Sequence, residues 1–274
     1  MNAVITYCFI ALLFIVNLEA SSSSDFEKYG IAFFTSVTGD SVNFENSTID
    51  RCIRLHDSMI IDSESLLSTG DSDYVFFKLS NNTTFGLLEN TQFRIQSFKQ
   101  NIFQEKNIRL DREPSISNFI STLNEGTIIV KSNDLSPLSV FEIHLPIPNS
   151  KLELYSVKAV ISYRYNILHI ALYEGNISLK THNTTKYINA PSYYVSDDYN
   201  LANSIKNHTS NLSDTPARWN AFKDYISVEN DSVIFFPSTT ASDCAAEAKL
   251  ISTPDFYNQS FNRPRSFKNP QLQD

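Results

Sequence analysis

The sequence predicts an all-β protein: a layered β-sandwich or β-roll of short, mostly antiparallel strands, followed by a small C-terminal helical appendage. Three observations carry this. Between Asp71 and Gln96, three runs of strand character follow one another, Tyr74 to Leu79, Thr84 to Leu88, and Thr91, Phe93 and Ile95 in strict alternation. Strand-like runs of four to seven residues then recur at spacings of about 8–15 residues, with turn formers between them. Gly39, Gly70, Gly126 and Gly175 stand at or beside those turns, while Gly86 falls inside a strand, where glycine signals a bulge or a close backbone approach.

Taken in order, Ile31–Val37 forms the first strand, Thr38-Gly39-Asp40 ends it, and Ser41–Phe44 returns as its hairpin partner. Ile53 and Leu55 continue the pattern, and His56-Asp57-Ser58 turns into Met59–Ile61. Ser80-Asn81-Asn82 and Glu89-Asn90 are turns, because Asn and Ser bond their own backbone and Asn tolerates positive φ. The alternation loosens beyond Ile95 and Pro114 interrupts it; residues 117–123 suit either a helical turn or a strand. Thr127–Lys131 and Val140–Leu145 are strands, the latter stopped by Pro146 and Pro148. Leu152–Tyr155, Lys158–Tyr165, Leu168–Tyr173 and Ile177–Lys180 follow, with Glu174-Gly175-Asn176 as a sharp turn, and the stretch from Tyr187 to Val195 closes the β domain, 31–195.

The character then changes over residues 196–250. Leu201–Ile205 suits a short helix, and Thr215 with Pro216 suits the N-cap and first position of another. Trp219, Phe222, Tyr225 and Ile226 recur there at helical spacing. Val233–Phe236 is a last strand candidate, Ser242–Leu250 is Ala-rich and weakly helical, and residues 251–274 form a polar tail expected to be disordered.

The formal net charge of −8 with dispersed basic residues excludes an electrostatic nucleic-acid binder, whose affinity comes from neutralised phosphates. Residues 1–20 carry an apolar run from Ala3 to Val16, shorter than the ~20 residues of a comfortable membrane span. The run suits a secretory signal peptide cut near Ala20, although no basic residue precedes it. Export to the periplasm or cell surface is therefore expected, with membrane contact only if this segment is retained. Cys8 leaves with the signal, and Cys52 and Cys244 remain, either as a disulfide enclosing most of the chain or as two separate thiols.

No chemistry-bearing motif stands out. The five histidines are dispersed without metal-ligand spacing, and no Gly-x-Ser-x-Gly nucleophile elbow occurs. Asp71-Ser72-Asp73 and Asp197-Asp198 serve turns more readily than a calcium loop. No catalytic residue, metal or cofactor is expected. Tyr187, Tyr193, Tyr194, Tyr199 and Trp219 are the candidate binding residues, because amphipathic aromatics supply contact area at low entropy cost. The competing reading places them at the rim of the β core and on one buried helix stripe. Asn-x-Ser/Thr triplets recur from Asn46 to Asn258 and would accept glycans only in a eukaryotic secretory route.

Five motifs appear in a familiar order. Val37-Thr38-Gly39-Asp40-Ser41-Val42 comes first, then Phe85-Gly86-Leu87-Leu88-Glu89-Asn90-Thr91-Gln92-Phe93, then Leu123-Asn124-Glu125-Gly126-Thr127-Ile128-Ile129-Val130. Phe141 to Pro146 and Tyr173-Glu174-Gly175-Asn176-Ile177 complete the set. This order resembles the FecR-like domain, an exported β-rich family named for the ferric-citrate signalling regulator. One element departs: Lys158 to Tyr163 stands where many members carry Arg-Gly-Thr, so a tight glycine turn is not expected there.

The resemblance implies a non-catalytic sensing, scaffold or protein-interaction module of the cell envelope, whose partner is an unidentified envelope protein or glycan. The chain shows neither the transmembrane helix nor the cytoplasmic anti-sigma domain of the signalling regulators, so control of a sigma factor is not carried over. The alternative expectation is a carbohydrate-binding module that uses the Tyr/Trp group.

Overall fold

A computed structural model describes residues 27–62, 64–101, 116–132, 135–182, 184–197, 208–216, 219, 233–236 and 249–252. The chain begins with β1 (Glu27–Tyr29), β2 (Ile31–Thr38), β3 (Asn43–Glu45), β4 (Asp50–Cys52), β5 (Ser58–Ile60) and β6 (Ser65–Ser68). The stretch rich in Phe supplies β7 (Tyr74–Leu79), β8 (Thr84–Leu87) and β9 (Gln92–Asn101). Three long strands carry the middle, β10 (Ser117–Lys131), β12 (Lys151–Arg164) and β13 (Ile167–Lys180), with the short β11 (Val140–His144) between the first two. β14 (Thr185–Asn189), β15 (Ser192–Asp197) and β16 (His208–Ser210) close the main sheet, and β17 (Val233–Phe236) pairs with β18 (Lys249–Ser252) in a separate ribbon.

The fold is all-β, and among the described residues every pairing is antiparallel except β10 with β11. The long strands bend and join two layers. β10 pairs through Ser117–Glu125 with β9, but through Gly126–Lys131 with β12. β12 and β13 pair along their whole length with a register shift in the middle, where Ser156 (φ 47°) and Gly175 (φ 82°) turn the chain. One layer thus runs from β5 through β2, β7, β8 and the later part of β10 to β12, β13, β15 and β16; the other gathers β1, β9, β6, β11, β14 and the remaining halves of the long strands. Glycine at 126 (φ 110°) and 175 suits these corners because its backbone enters the left-handed region without a Cβ clash.

The main core lies between the layers. On the first layer Phe77, Phe85, Val130, Ala159 and Leu172 form one cross-strand row, all fully buried. Phe85 is its hub, with ring centroids 5.2 Å from Phe93, 5.4 Å from Phe119 and 5.9 Å from Phe141, all on the second layer. The next row, Phe76, Gly86, Ile129, Val160, Ala171 and Tyr193, faces the other way and makes a second, smaller cluster with Trp219. Period-two alternation alone separates the rows. The Phe76 ring lies over Gly86, where a Cβ would collide with it, so this in-strand glycine is a close approach rather than a bulge.

The strands expected at 31–37, 74–79, 84–88 and 127–131 form, and residues 117–123 resolve as strand. Two expectations are corrected. Ser41–Phe44 is not the hairpin partner of β2: the Asp73 carboxylate accepts the Ser41 N–H at 3.0 Å, Gly39 turns at φ 92°, and β3 pairs with β4 and β6 instead. β9 follows β8 after the Glu89-Asn90 turn without pairing with it as a hairpin; both pair with different halves of β10. In the appendage, residues 208–210 form β16, Leu212–Asp214 form a 3₁₀ turn, and the expected last strand, 233–236, forms and pairs with 249–252. The Thr215 hydroxyl donates back to the Leu212 carbonyl at 2.6 Å and closes the 3₁₀ turn, while residues 217 and 218, which a cap at Thr215 would bind, lie outside the described residues. Trp219 is helical and its N–H donates to Pro216 O at 3.0 Å, while Leu201–Ile205, Phe222, Tyr225 and Ile226 lie outside the described residues.

Candidate functional site

Four tight turns meet at the end of the first layer where it joins the second, and border an open polar cleft of about 570 Å³, within the size range of small-molecule sites. Ser68, Asn90, Gln92, Glu125, Arg164 and Tyr165 are among the side chains that line it.

Local chemistry fixes each wall. Gly70 closes the β6–β7 turn, accepting hydrogen bonds from Asp73 N at 3.4 Å and Asn90 N at 3.0 Å. Asn90 holds φ 50°, a conformation Asn tolerates, and its amide donates to Asp71 Oδ1 at 3.3 Å. Behind the walls runs a buried chain of hydroxyls. Thr69 Oγ1 donates to Leu88 O at 2.5 Å and accepts from Thr91 N at 3.0 Å. Thr91 Oγ1 accepts from Thr127 N at 3.0 Å, and the Thr127 and Ser162 hydroxyls are bonded at 2.8 Å. Ser162 Oγ reaches Gly126 O at 3.2 Å, which ties the chain to the β10 corner. Satisfied buried networks of this kind rigidify what they support.

The fourth wall is the β12–β13 hairpin. Arg164 pairs with Ile167 across a two-residue turn, with Tyr165 at φ 53° and Asn166 at φ 61°, the geometry of a type I′ turn. The Arg164 guanidinium donates through Nη2 to the Glu89 carbonyl, while its Nε is buried without a hydrogen-bond partner among the described residues. Tyr165 is 88% exposed at the rim. Arg164 and Glu125 are the charged residues of the lining, and the Asp71 and Asp73 carboxylates stand behind it, bonded to the Asn90 amide and the Ser41 N–H.

A second constellation lies on the outer face of the same layer. His169 Nδ1 and the Tyr193 hydroxyl are 2.8 Å apart, and the Trp219 ring stands edge-on to both, with centroids at 6.3 Å. Burial holds the His169 imidazole below its ordinary value. Burial, and then the Asp214 carboxylate, push the Tyr193 phenol up. This cluster is packed rather than open: Tyr193 is 8% and Trp219 4% exposed.

The aromatic residues singled out in the sequence therefore do not share a surface. Tyr193 faces the outer cluster and Tyr194, fully buried, faces the main core, as consecutive strand residues must. Tyr187 is 72% exposed on β14, on the row Glu153, Ser178, Tyr187 at the far side of the second layer. Glu153 there is bonded to Lys151 at 3.4 Å and Lys180 at 2.5 Å. Burial works against its charge, but the hydrogen bonds from Lys180 and Tyr155 outweigh it and hold the carboxyl below its ordinary value. Tyr199 and Cys244 lie outside the described residues; Cys52 is exposed on β4, its thiol 3.8 Å from Asp40 O. Of the glycan-acceptor asparagines, Asn81 and Asn82 are buried. Arg164, Tyr165 and Gln92 carried no sequence signal of a site; Asn166 between two alternating runs was the one local sign of a hairpin there.

No family model matches the sequence, and no curated protein matches it. Two solved structures from Parabacteroides distasonis ATCC 8503, each provisionally described as an anti-sigma factor, show similarity. The first is 10% identical with TM-score 0.39, over 54% of this chain and 60% of its own, so the chain spans less than two thirds of that structure. The second is 9% identical with TM-score 0.38, over 72% of this chain and 89% of its own. Likeness at this level carries no weight for function.

Proposed function

We propose that this chain is a FecR-like module, exported to the cell envelope, that senses or scaffolds by binding at its polar cleft and catalyses no reaction. The observation that carries the reading is where the motif glycines sit. Gly39, Gly126 and Gly175, one from each of three motifs, are the glycines with left-handed φ among the described residues. Two motifs also interlock, because Thr91 of the Thr-x-Phe element fills the space where a side chain at Gly126 would stand. The motif residues are thus the corner pieces of the roll, and two of the corners back the cleft. The hydroxyl, amide and guanidinium groups of the lining suit holding a ligand.

Of the five aromatics behind the carbohydrate-binding alternative, Tyr193, Tyr194 and Trp219 are buried, Tyr187 is exposed and Tyr199 lies outside the described residues. The test combines location with contact. The full chain, produced in a Gram-negative host, should be recovered from the periplasmic fraction with its N-terminus processed near Ala20. Hydrogen exchange of that protein with envelope extract should then slow at 68–70, 90–92 and 164–166. Unprocessed protein in the cytosol, or unchanged exchange at these three turns, would contradict the proposal.

A further inference from the structure

We infer that the cleft receives a neutral saccharide, its ring face stacked on Tyr165 and its hydroxyls bonded by Arg164, Asn90, Gln92 and Glu125; this rests on the reading of the cleft as the contact site. Two independent observations converge on it. The first is Tyr165 itself. A type I′ turn favours Asn-Gly, and a bulky L-residue in the left-handed region costs about 1–2 kcal/mol. Tyr165 takes that conformation at φ 53° while 88% exposed, so burial offsets almost none of the strain. Strain retained at an exposed aromatic on a cleft rim points to a ligand.

The second is Arg164, which lines the cleft with its guanidinium anchored through Nη2 on Glu89 O. A guanidinium carries five N–H donors in a fixed fork, and those that reach the cleft can serve a ligand hydroxyl oxygen.

The composition of the lining selects the class. Planar side chains (Asn90, Gln92, Glu125, Arg164) can donate to or accept from adjacent hydroxyls, and the hydroxyls of Ser41 and Ser68 add to them. The phenol ring offers an apolar face with a polar tip, which matches a sugar ring. The Glu125, Asp71 and Asp73 carboxylates in and behind the lining outnumber Arg164, and the chain carries net charge −8, which disfavours phosphorylated or polyanionic ligands.

Titration of the full-length protein with maltotriose, cellotriose, chitotriose and mannotriose, followed by calorimetry and amide chemical shifts, tests the inference, with trigalacturonate as the anionic comparison. At least one neutral trisaccharide should bind with Kd of about 1 mM or tighter and shift amides of residues 90–92 and 164–166. Tyr165→Ala and Gln92→Ala should each weaken binding by about tenfold or more, and Tyr165→Phe should keep it within about threefold. Tyr165→Gly should abolish binding while raising Tm, because it removes both the stacking ring and the strain. Absence of binding by all four neutral sugars at about 10 mM, binding of trigalacturonate alone, or undiminished affinity in a folded Tyr165→Ala or Gln92→Ala variant would overturn it. Envelope extract that protects the cleft turns while no trisaccharide binds would remove the saccharide and leave the binding module standing.

Discussion

A methyl group on Gly126 would overlap the Cα of Thr91, and one on Gly175 would overlap the Ser156 carbonyl oxygen. Both glycines also hold left-handed φ, so alanine there meets backbone strain and a backbone collision together. Gly126→Ala and Gly175→Ala should each destabilise the fold by about 2 kcal/mol or more, read as a lower urea midpoint, and Gly126→Ala should also loosen the cleft turns. Thr91→Val isolates the hydrogen bonds from the packing. It keeps the shape of the side chain but strands the buried Thr127 N–H, for a loss of about 1–3 kcal/mol. At this scale the sequence was most legible for glycine, whose turn positions at 39, 126 and 175 could be placed directly. The hairpin at Tyr165-Asn166 carries no glycine, and the strain that marks it is a property of φ that composition does not display.

Among elements, β15 with the Trp219 segment shows how two faces of one strand are used. Tyr194 completes the main core, while Tyr193, His169 and Trp219 seal the outer row of the same layer. Trp219→Ala should cost about 3 kcal/mol and speed amide exchange in β15 and β16, because the ring covers Tyr193. His169 gives this seal a pH dependence. Its folded pKa is lowered by burial, so the folded protein keeps the ring neutral while the unfolded chain takes up a proton as pH falls through 6.5. Stability is complete above that value and declines as pH falls from it towards the lower folded pKa. Tm measured from about pH 7.5 to about pH 5 should therefore fall more steeply for wild type than for His169→Gln; parallel curves would show that the imidazole is not sealed. Existence of strands was readable from alternation, whereas partners were not. Ser41–Phe44 has the pattern of a return strand, but the Asp73 carboxylate, 32 residues away, decides where it goes.

For the molecule as a whole, one continuous sheet folds over itself because three long strands change layers, and the corners gather four turns around the cleft. The layered architecture followed from short alternating runs and could be anticipated. The site could not, because its residues come from five separate stretches between Ser41 and Tyr165 that only the corners bring together. Tyr187 is not among the residues that line the cleft, which turns the sequence's choice of aromatic residues and the structure's choice of cleft into rival contact surfaces. The direct comparison places a photo-crosslinking amino acid at Gln92 in one variant and at Tyr187 in another, within the full chain in intact envelopes. Adducts formed from position 92 and not from position 187 are the predicted result; adducts from 187 alone would contradict the assignment of the cleft as the contact site.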